Sequence, residues 1–286
     1  MNMARWKKRV TGLLVHPIMI VAASFGLFPF LWALSSSFKG QRELYTTLPA
    51  LFPHYFTLEN YRFVLAGAGA NQLLNLYRNS IFVTINSVVL TVIIVSLAGY
   101  ALARLRFWGR DAIFGLFIVL MFLPAAGTLM AQYELMHKLH LRNSLIGLIL
   151  LYSGGGGINL FLMRQVFLGI PAELEDAARI DGASDLRICF QIMMPLATSG
   201  MVLVAIMQFI AIWGEYIVCL TMIDTADKLT LSAGLGSILF TSPALGEISS
   251  YGVTATSVLL TAMPVVLVFI FLQRWFIKGA VEGLKI

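Results

Sequence analysis

The sequence predicts an all-α, polytopic membrane protein, and three observations support this fold class. Of the 286 residues, 59% are hydrophobic and only 12% are charged. The mean hydropathy is +0.85, and the apolar residues form several long runs. This composition is typical of an integral membrane protein and excludes a soluble domain of useful size.

Six apolar runs are long enough for a helix to cross a hydrocarbon core about 30 Å thick. They lie near residues 13–38, 79–103, 112–136, 144–168, 196–222 and 252–276. The first run follows basic residues, as in a signal peptide, but at about 26 residues it is too long for one and predicts a retained span. We expect this span and an extracytoplasmic loop over 1–78, and a core of five spans over 79–286.

The placement of lysine and arginine predicts the orientation of the spans, because positively charged loops stay in the cytoplasm. With the amino terminus inside, thirteen of the 20 Lys and Arg residues fall on the inner side. These are Arg5, Lys7, Lys8, Arg9, Arg104, Arg106, Arg110, Arg164, Arg179, Arg187, Arg274, Lys278 and Lys285. We therefore expect both termini in the cytoplasm, and we attribute the net charge of +6 to topology rather than to nucleic-acid binding.

A polar segment, residues 171–195, lies between the fourth and fifth runs, on the side predicted to be cytoplasmic. Pro171 suits a first helical position. Three carboxylates follow within the first turns, where the positive end of the helix dipole favours them: Glu173, Glu175 and Asp176. Gly182 can adopt the left-handed conformation that ends a helix, Ser184 can cap a second helix, and Pro195 precedes the next run. The pattern predicts a helix, a sharp turn and a second helix.

This segment resembles the signature loop of the membrane subunits of binding-protein-dependent ABC importers, which reads Glu-Ala-Ala, three residues, Gly, nine residues, Ile-x-Leu-Pro. The matching residues here are Asp176-Ala177-Ala178, Gly182 and Ile192-Met193-Met194-Pro195. The spacing is complete, with Asp176 in place of Glu and Met194 in place of Leu. The resemblance implies the type I importer permease fold, in which the loop forms cytoplasmic coupling helices.

In that family the coupling helices dock into a groove on a separate ATP-hydrolysing subunit. The resemblance implies that eight residues serve this docking: Glu175, Asp176, Ala177, Ala178, Asp181, Gly182, Ile192 and Pro195. The small Ala177 and Ala178 would permit close approach. The resemblance further implies a place in the bacterial inner membrane, with a homologous second permease, two ATP-hydrolysing subunits, an extracytoplasmic solute-binding protein and membrane lipid as partners.

The chain has no Gly-x-x-x-x-Gly-Lys-Ser/Thr sequence, so it lacks a phosphate-cradling loop of its own. We expect a transport subunit rather than an enzyme, with no bound cofactor and with ATP and Mg in the partner subunits. Cys189 and Cys219 lack metal-ligand spacing, and the predicted topology separates them, so neither a metal site nor a disulfide is expected. The four histidines are interpreted as structural.

Flanking segments resemble the carbohydrate branch of this family, the maltose and glycerol-phosphate type. They include Asn79-Ser80, Tyr100-Ala101-Leu102-Ala103-Arg104, Phe107-Trp108-Gly109-Arg110, Leu123-Pro124, Ile180-Asp181-Gly182-Ala183 and Trp213-Gly214-Glu215-Tyr216. The closing segment from Gln273 to Gly279 resembles the smaller, second permease of such pairs. The resemblance implies an oligosaccharide, a polyol or a sugar phosphate as the solute.

The fourth run contains a candidate element of the translocation path, made of Gly154, Gly155, Gly156, Gly157 and Asn159. Each glycine costs a helix on the order of 1 kcal/mol relative to alanine, so we expect a break near the midplane. Irregular backbone at that depth is tolerated against protein or a water-filled cavity. Close packing of small residues is the alternative interpretation. Gln208 is polar enough to contact a hydroxylated solute, but such a residue more often forms hydrogen bonds between helices. Glu215 is expected at the bundle interior or the outer interface, and the nearby Asp224 favours the interface.

Three other functions stay open at this point. An importer permease for a non-sugar solute, such as an amino acid or a peptide, shares the signature loop. A self-contained secondary transporter or channel predicts intramembrane ionisable pairs and inverted repeats, and the sequence displays neither. A membrane scaffold or sensor that keeps the loop but moves no solute is the third.

Overall fold

The computed structural model of the protein describes residues 3–40, 43–44, 50–68, 70–123, 125–154, 157–241 and 251–283. Within these ranges the chain forms helices and turns and no β-strand, which confirms the predicted all-α class. The principal helices are α1 (Met3–Ser37), α2 (Glu59–Ala68), α3 (Ala70–Arg104), α4 (Arg110–Leu120), α5 (Ala125–Lys138), α6 (Leu145–Gly154), α7 (Gly157–Leu168), α8 (Glu173–Ile180), α9 (Asp185–Ile188), α10 (Thr198–Trp213), α11 (Ile217–Met222), α12 (Leu231–Thr241) and α13 (Tyr251–Gly283).

Three helical segments are each long and apolar enough to cross a membrane: Val15–Ser37, Gln72–Arg104 and Tyr251–Phe271. Two pairs of helices pass the same test together, although each pair is bent. α6 and α7 are bent by 51°, and Asp185–Leu196 and Thr198–Trp213 by 71°. By length and composition, the described part of the chain therefore holds three spans, or up to five if each bent pair is one span.

The run predicted as the third span, residues 112–136, is two helices rather than one. α4 ends at Leu120, a turn follows over Met121–Leu123, and α5 begins at Ala125. In the sequence this turn comes directly before Pro124, and proline disfavours the helical conformation of the residue that precedes it. The run therefore does not form one continuous helix.

The glycine run breaks the fourth span, as predicted. α6 ends at Gly154 and α7 begins at Gly157, whereas Gly155 and Gly156 lie outside the described residues. A β-carbon built on Gly154 would meet no atom within 4 Å, but one on Gly157 would lie 2.5 Å from Cγ of Met121. Gly157 is therefore closely packed, as the alternative interpretation expects, whereas the path interpretation of the run stays a prediction.

Contacts between residues divide the chain into two compact units. The first comprises Met1–Ala70 and Ser237–Ala262, and the second comprises Asn71–Gly236 and Met263–Ile286. This division falls earlier than the predicted boundary after residue 78, and it groups part of the predicted core with the amino-terminal residues. α13 contributes to both units.

In the first unit, the residues after α1 fold back on its end. The ring of Phe38 stacks on that of Phe56 with 4.5 Å between the centroids. The side-chain amide of Asn60 donates to the backbone oxygens of Ser37 and Lys39, each at 2.9 Å. The predicted loop therefore begins with a compact turn and includes the short helix α2.

In the second unit, α7 packs closely between α3 and α10 because glycines face it from both sides. A β-carbon on Gly99 of α3 would lie 2.9 Å from Cβ of Met163. A β-carbon on Gly200 of α10 would lie 2.6 Å from Cγ2 of Val166. Small residues that let helix backbones approach closely are a common basis of packing in membranes, where apolar contacts with lipid compete with those between helices.

Asn79 and Ser80, which open the second predicted span, hold a distant loop of the same unit. The Asn79 side-chain amide donates to the backbone oxygens of Asp227 and Leu229 at 2.7 and 3.0 Å. The Ser80 hydroxyl accepts a 2.7 Å hydrogen bond from the Leu231 N–H. These three bonds satisfy backbone groups at the start of α12, and both side chains are buried.

The contact of Gly99 with Met163 predicts that Gly99→Ala destabilises the protein. The added methyl group meets the backbone of α7, so the helices must separate, at a cost of about 1–3 kcal/mol. The thermal unfolding midpoint of the purified protein should therefore fall.

Gly115→Ala is the matched control, because Gly115 is also helical but a β-carbon there meets no atom within 4 Å. Alanine favours a helix over glycine by up to about 1 kcal/mol. The midpoint of this variant should stay level or rise, and an equal fall in both variants would contradict the packing interpretation.

Candidate functional site

The polar loop forms two short helices separated by a turn, as its sequence predicts. α8 begins at Glu173 because Ala172 accepts the first helical bonds, from the N–H groups of Glu175 and Asp176 at 2.9 and 3.1 Å. The start of the helix thus falls two residues after Pro171, for which the first helical position was expected. The carboxylates of the first turn lie at the positive end of the helix, where they are stabilising.

Gly182 ends α8 in the left-handed conformation, with φ of 79°. The N–H of Ala183 donates to the carbonyl oxygen of Ala178 at 2.9 Å, and the N–H of Gly182 donates to the carbonyl oxygen of Arg179 at 3.0 Å. These two bonds form a Schellman motif, which satisfies the last carbonyl groups of the helix. The turn is sharp because a residue without a β-carbon occupies its left-handed position.

Ser184 begins the second helix, as predicted. Its backbone is extended, and its hydroxyl oxygen accepts a 3.4 Å bond from the N–H of Arg187. A 2.9 Å ion pair between Arg179 and Asp185 joins the helices on either side of the turn. Both partners are about half exposed, so this pair adds little stability on its own.

The second helix leads directly into the long apolar helix α10. α9 continues as a π-helical turn over Cys189–Met193 and a short helix over Met194–Leu196, and α10 starts at Thr198. The chain bends by 71° between the two segments. The Thr198 hydroxyl donates to the carbonyl oxygen of Pro195 at 2.7 Å, which helps to fix the bend that proline favours.

The two helices of the loop have an inner and an outer face. On the inner face, four side chains belong to a buried cluster that also contains residues of α3 and α7: Ala178, Ile188, Cys189 and Met193. On the outer face, Ile180 is 87% exposed and Leu186 is 72% exposed. Large apolar side chains that are exposed on a polar loop mark an interaction surface.

Arg104, the last residue of α3, ties this loop to two helices of the bundle. Its Nε donates to the carbonyl oxygen of Phe167 at 3.0 Å, and its guanidinium also donates to the carbonyl oxygen of Ile170. The same Nε lies 3.5 Å from Oε1 of Glu175 in α8. Since α7 ends at Leu168, Arg104 satisfies carbonyl groups that the end of this helix leaves without partners.

Glu175 is buried beside Arg104 without full hydrogen bonding. The residue is 6% exposed, and its Oε1 atom has no hydrogen-bond partner within the described residues. Burial raises the pKa of Glu175 above its ordinary value, because the charged carboxylate loses its hydration. Arg104 and, to a lesser degree, Arg179 act in the opposite direction but do not cancel this effect.

The eight residues predicted to dock fall into two groups. Five are exposed: Asp176, Ala177, Asp181, Gly182 and Pro195. Glu175 and Ala178 are buried, and Ile192 packs partly buried against the core cluster. Both alanines were expected to let a partner approach closely. Only Ala177 of the two is accessible to a partner, because Ala178 packs against this chain's own helices.

Among the predicted path residues, Asn159 is buried in a hydrogen-bonded network. Its side-chain amide donates to Oε1 of Gln208 at 2.8 Å, and the Gln208 amide donates to the carbonyl oxygen of Tyr152 at 2.9 Å. Gln208 therefore bonds to residues on both sides of the glycine break. This network fits the interhelical role expected of Gln208.

Glu215 lies between α10 and α11 and faces protein. Its Oε2 accepts a 2.7 Å hydrogen bond from the Tyr152 hydroxyl, and its Oε1 accepts a 2.8 Å bond from the N–H of Val218. The carboxylate thus caps α11 while it holds the end of α6. This geometry accounts for the presence of a carboxylate beside two apolar runs.

Sequence reasoning missed the role of Arg104, which it counted as a charge that sets topology and as part of a segment that resembles the family. An arginine at the last position of an apolar run ordinarily signals a membrane boundary, and its carbonyl partners lie more than sixty residues away in the chain. Ile180 and Leu186 were also missed as surface residues. Cys189 and Cys219 are both buried.

Comparisons with known proteins agree with this architecture. The model of the family described as "Binding-protein-dependent transport system inner membrane component" matches residues 78–281. The galactooligosaccharides transport system permease protein GanQ of Bacillus subtilis is 33% identical over 258 residues, which cover 90% of this chain and 89% of that protein. The arabinooligosaccharides transport system permease protein AraQ of Halalkalibacterium halodurans is 32% identical over 282 residues, which cover 96% of this chain and 98% of that protein.

A solved structure has the same fold. It is the crystal structure of a bacterial ABC transporter involved in the import of the acidic polysaccharide alginate, and it aligns with a TM-score of 0.78 at 24% identity. The alignment covers 94% of this chain and 98% of the matched chain. The helical bundle and its polar loop thus define a membrane subunit of a transport system. The chain belongs to the family of binding-protein-dependent transport system inner membrane components.

The left-handed conformation of Gly182 predicts that Gly182→Val opens the turn. A β-branched residue is strained at φ of 79°, by roughly 1–2 kcal/mol or more. The Ala183 N–H, which bonds to Ala178, should therefore exchange with solvent at least about tenfold faster, as measured by amide hydrogen exchange.

Gly182→Asn is the control for this substitution, because asparagine tolerates the left-handed region. In this variant, the amide of Ala183 should keep most of the protection against hydrogen exchange that it has in the parent protein. Equal protection in the valine variant would show that the turn does not depend on glycine.

The raised pKa of Glu175 predicts a pH-dependent effect of Glu175→Gln. A raised folded-state pKa means that protonation stabilises the folded protein, and this stabilisation is lost as the pH rises through that pKa. Glutamine is neutral at every pH. The variant should therefore unfold at a higher temperature than the parent at pH 8, and this difference should shrink as the pH falls towards 5.

Glu173→Gln controls for the loss of one negative charge, because Glu173 is exposed in the same turn of α8. Thermal melts of both variants between pH 5 and 8 provide the measurement. A difference for Glu175→Gln that grows towards low pH would contradict the stated sign.

Proposed function

We propose that this chain is a permease subunit of an ATP-driven importer for carbohydrates. With a homologous second permease it lines the path for an oligosaccharide, a polyol or a sugar phosphate that an extracytoplasmic binding protein delivers. Two separate ATP-hydrolysing subunits, which hold ATP and Mg, supply the energy. This chain moves solute and breaks no bond.

The observation that carries the proposal is the outer face of the two-helix loop. Ile180 and Leu186 project from it, and Ala177 leaves room beside them. An exposed apolar face of this kind fits a groove on another protein better than it fits water. The docking partner that we propose is the ATP-hydrolysing subunit, consistent with the signature sequence of the loop.

The connections of the loop suit it to transmit movement. Arg104 holds its first helix to the ends of α3 and α7, and its second helix continues into α10 through the bend at Ala197. A loop that is bonded to two helices and continuous with a third can carry them with it when it moves. We propose that ATP binding draws the docked loops together and opens the path outward, and that hydrolysis reverses the change.

The proposed solute class comes from the relatives. GanQ and AraQ are named for galactooligosaccharides and arabinooligosaccharides, and the maltodextrin transport system permease protein MdxG of Bacillus subtilis, 31% identical over 258 residues, is named for maltodextrin. The break between Gly154 and Gly157, with Asn159 beside it, is the proposed path element. Irregular backbone at membrane depth is found where it lines protein or a water-filled cavity.

We also propose six spans with both termini in the cytoplasm. The three long helices and the bent pair of α6 and α7 account for four spans. α10 with α11 would form the fifth, after the loop, and α4 with α5 would form the remaining one across the turn at Met121–Leu123. This topology places the two-helix loop in the cytoplasm, where an ATP-hydrolysing subunit is available. It agrees with the excess of arginine and lysine on that side.

The double variant Ile180→Ser and Leu186→Ser tests docking. Both side chains are exposed, so their loss should leave the fold intact but remove apolar contacts worth about 1.5–3 kcal/mol each when fully buried. The ATP-hydrolysing subunit should co-purify in mild detergent at least about tenfold less, and carbohydrate uptake by cells should fall in parallel.

Phe52→Ser is the control, because Phe52 is also exposed but lies in the predicted extracytoplasmic loop. It should leave co-purification unchanged. Normal recovery of the ATP-hydrolysing subunit with the double variant would overturn the docking proposal. Uptake of carbohydrate by the chain reconstituted alone, without ATP, would overturn the importer proposal.

A further inference from the structure

The turn between α3 and α4 carries aromatic and basic side chains that the proposed transport mechanism does not use. Phe107 is 42% exposed and Trp108 is 98% exposed. Arg106 and Arg110 flank them, and Gly109 turns the chain with φ of 82°. A tryptophan so fully exposed has no packing role within the described part of the chain.

The two helices that this turn connects present apolar surfaces. α4 has no buried residue, and its exposed side chains are Ile113, Leu116, Phe117, Val119 and Leu120. α3 exposes a similar series: Ile85, Val89, Ile93, Ile94 and Leu97. Apolar helix surfaces of this kind suit contact with lipid, and the end of such a surface suits the level at which lipid meets water. Indole rings are enriched at this interface because they are apolar with one polar N–H group.

A cavity of about 390 Å³ lies at the turn, lined by Arg106, Phe107, Gly109, Arg110, Asp111 and Ala112. This volume is within the range of small-ligand sites. Arg106 forms no ion pair or hydrogen bond with any described residue, and Arg110 pairs only with its exposed neighbour Asp111 at 3.0 Å. Both guanidinium groups are thus available to an anion.

A second cavity of about 770 Å³ shares Arg106, Phe107 and Arg110 with the first. Its far wall is the two-helix loop, where three carboxylates and two further arginines line it: Glu175, Asp176, Asp185, Arg104 and Arg179. Arg104 pairs with Glu175 and Arg179 pairs with Asp185, so the arginines of this wall already have anionic partners. An anionic group is therefore favoured at the turn, where Arg106 forms no ion pair with a described residue.

We propose that this turn binds the phosphate of an anionic phospholipid. Arg106 and Arg110 donate to the phosphate oxygens, Trp108 lies at the headgroup level, and the acyl chains follow the apolar surface of α4. Arginine suits this role because its planar group donates two parallel bonds to phosphate. The proposal depends on membrane insertion of the chain and not on its solute or its ATP-hydrolysing partner.

Lipid retention is the first test. The transporter complex, purified in mild detergent with equal amounts of phosphatidylglycerol and phosphatidylcholine, is examined by native mass spectrometry. Arg106→Gln should weaken phosphatidylglycerol retention about fivefold, since a basic residue near an anionic membrane surface contributes about that factor. Arg62→Gln, at an exposed arginine of α2, should leave retention unchanged. Equal retention in all three proteins would overturn the proposal.

The position of Trp108 is the second test. In nanodiscs with brominated phosphatidylglycerol, the parent protein should show a quenched component of tryptophan emission that Trp108→Phe lacks. Identical quenching in the two proteins would overturn lipid contact. So would an emission that brominated lipid leaves unchanged but that shifts when the ATP-hydrolysing subunit is added, because the turn would then contact protein.

Inorganic phosphate distinguishes a lipid site from a general anion site. If the apolar surface of α4 contributes to binding, millimolar phosphate should leave phosphatidylglycerol bound. Complete displacement by phosphate alone would overturn the lipid assignment. None of these readouts depends on transport, so their failure leaves the proposed function to be judged by its own experiment.

Discussion

The buried guanidinium group of Arg104 is the interaction on which the rest of the site depends. A cation removed from water is costly unless hydrogen bonds and an opposite charge replace its hydration. Arg104 has both, from the carbonyl groups of Phe167 and Ile170 and from the carboxylate of Glu175. Because these partners belong to α7, to the segment after it and to α8, one side chain fixes the position of the loop relative to two helices.

In the ion pair of Arg104 with Glu175, the two partners differ in how well they are hydrogen-bonded. The arginine is well satisfied by carbonyl groups, whereas one carboxylate oxygen of Glu175 has no hydrogen-bond partner among the described residues. The carboxylate therefore bears most of the desolvation cost. This cost raises the pKa of Glu175 by more than the neighbouring Arg104 lowers it. The glutamate is held in place by packing as much as by charge.

The sequence was sufficient for features that depend on neighbouring residues. Gly182 and Ser184 form the turn and the cap that their types predict, and the glycine run interrupts the fourth span. The role of Arg104 and the particular partners of Gln208 were not predictable, because those partners lie about fifty to seventy residues away and only the packed bundle brings them together. The break before Pro124 had a local signal, but the apolar character of the whole run concealed it.

The hydrogen bonds of Gln208 extend the influence of the loop into the bundle. α10 begins at the bend that ends the loop, and Gln208 lies ten residues further along, which is about 15 Å in a helix. There its side chain bonds to Tyr152 before the glycine break and to Asn159 after it. α6 and α7 are bent by 51° relative to each other, so the two bonds hold two separate helices. A shift of α10 would therefore act on both halves of the bent pair through one side chain.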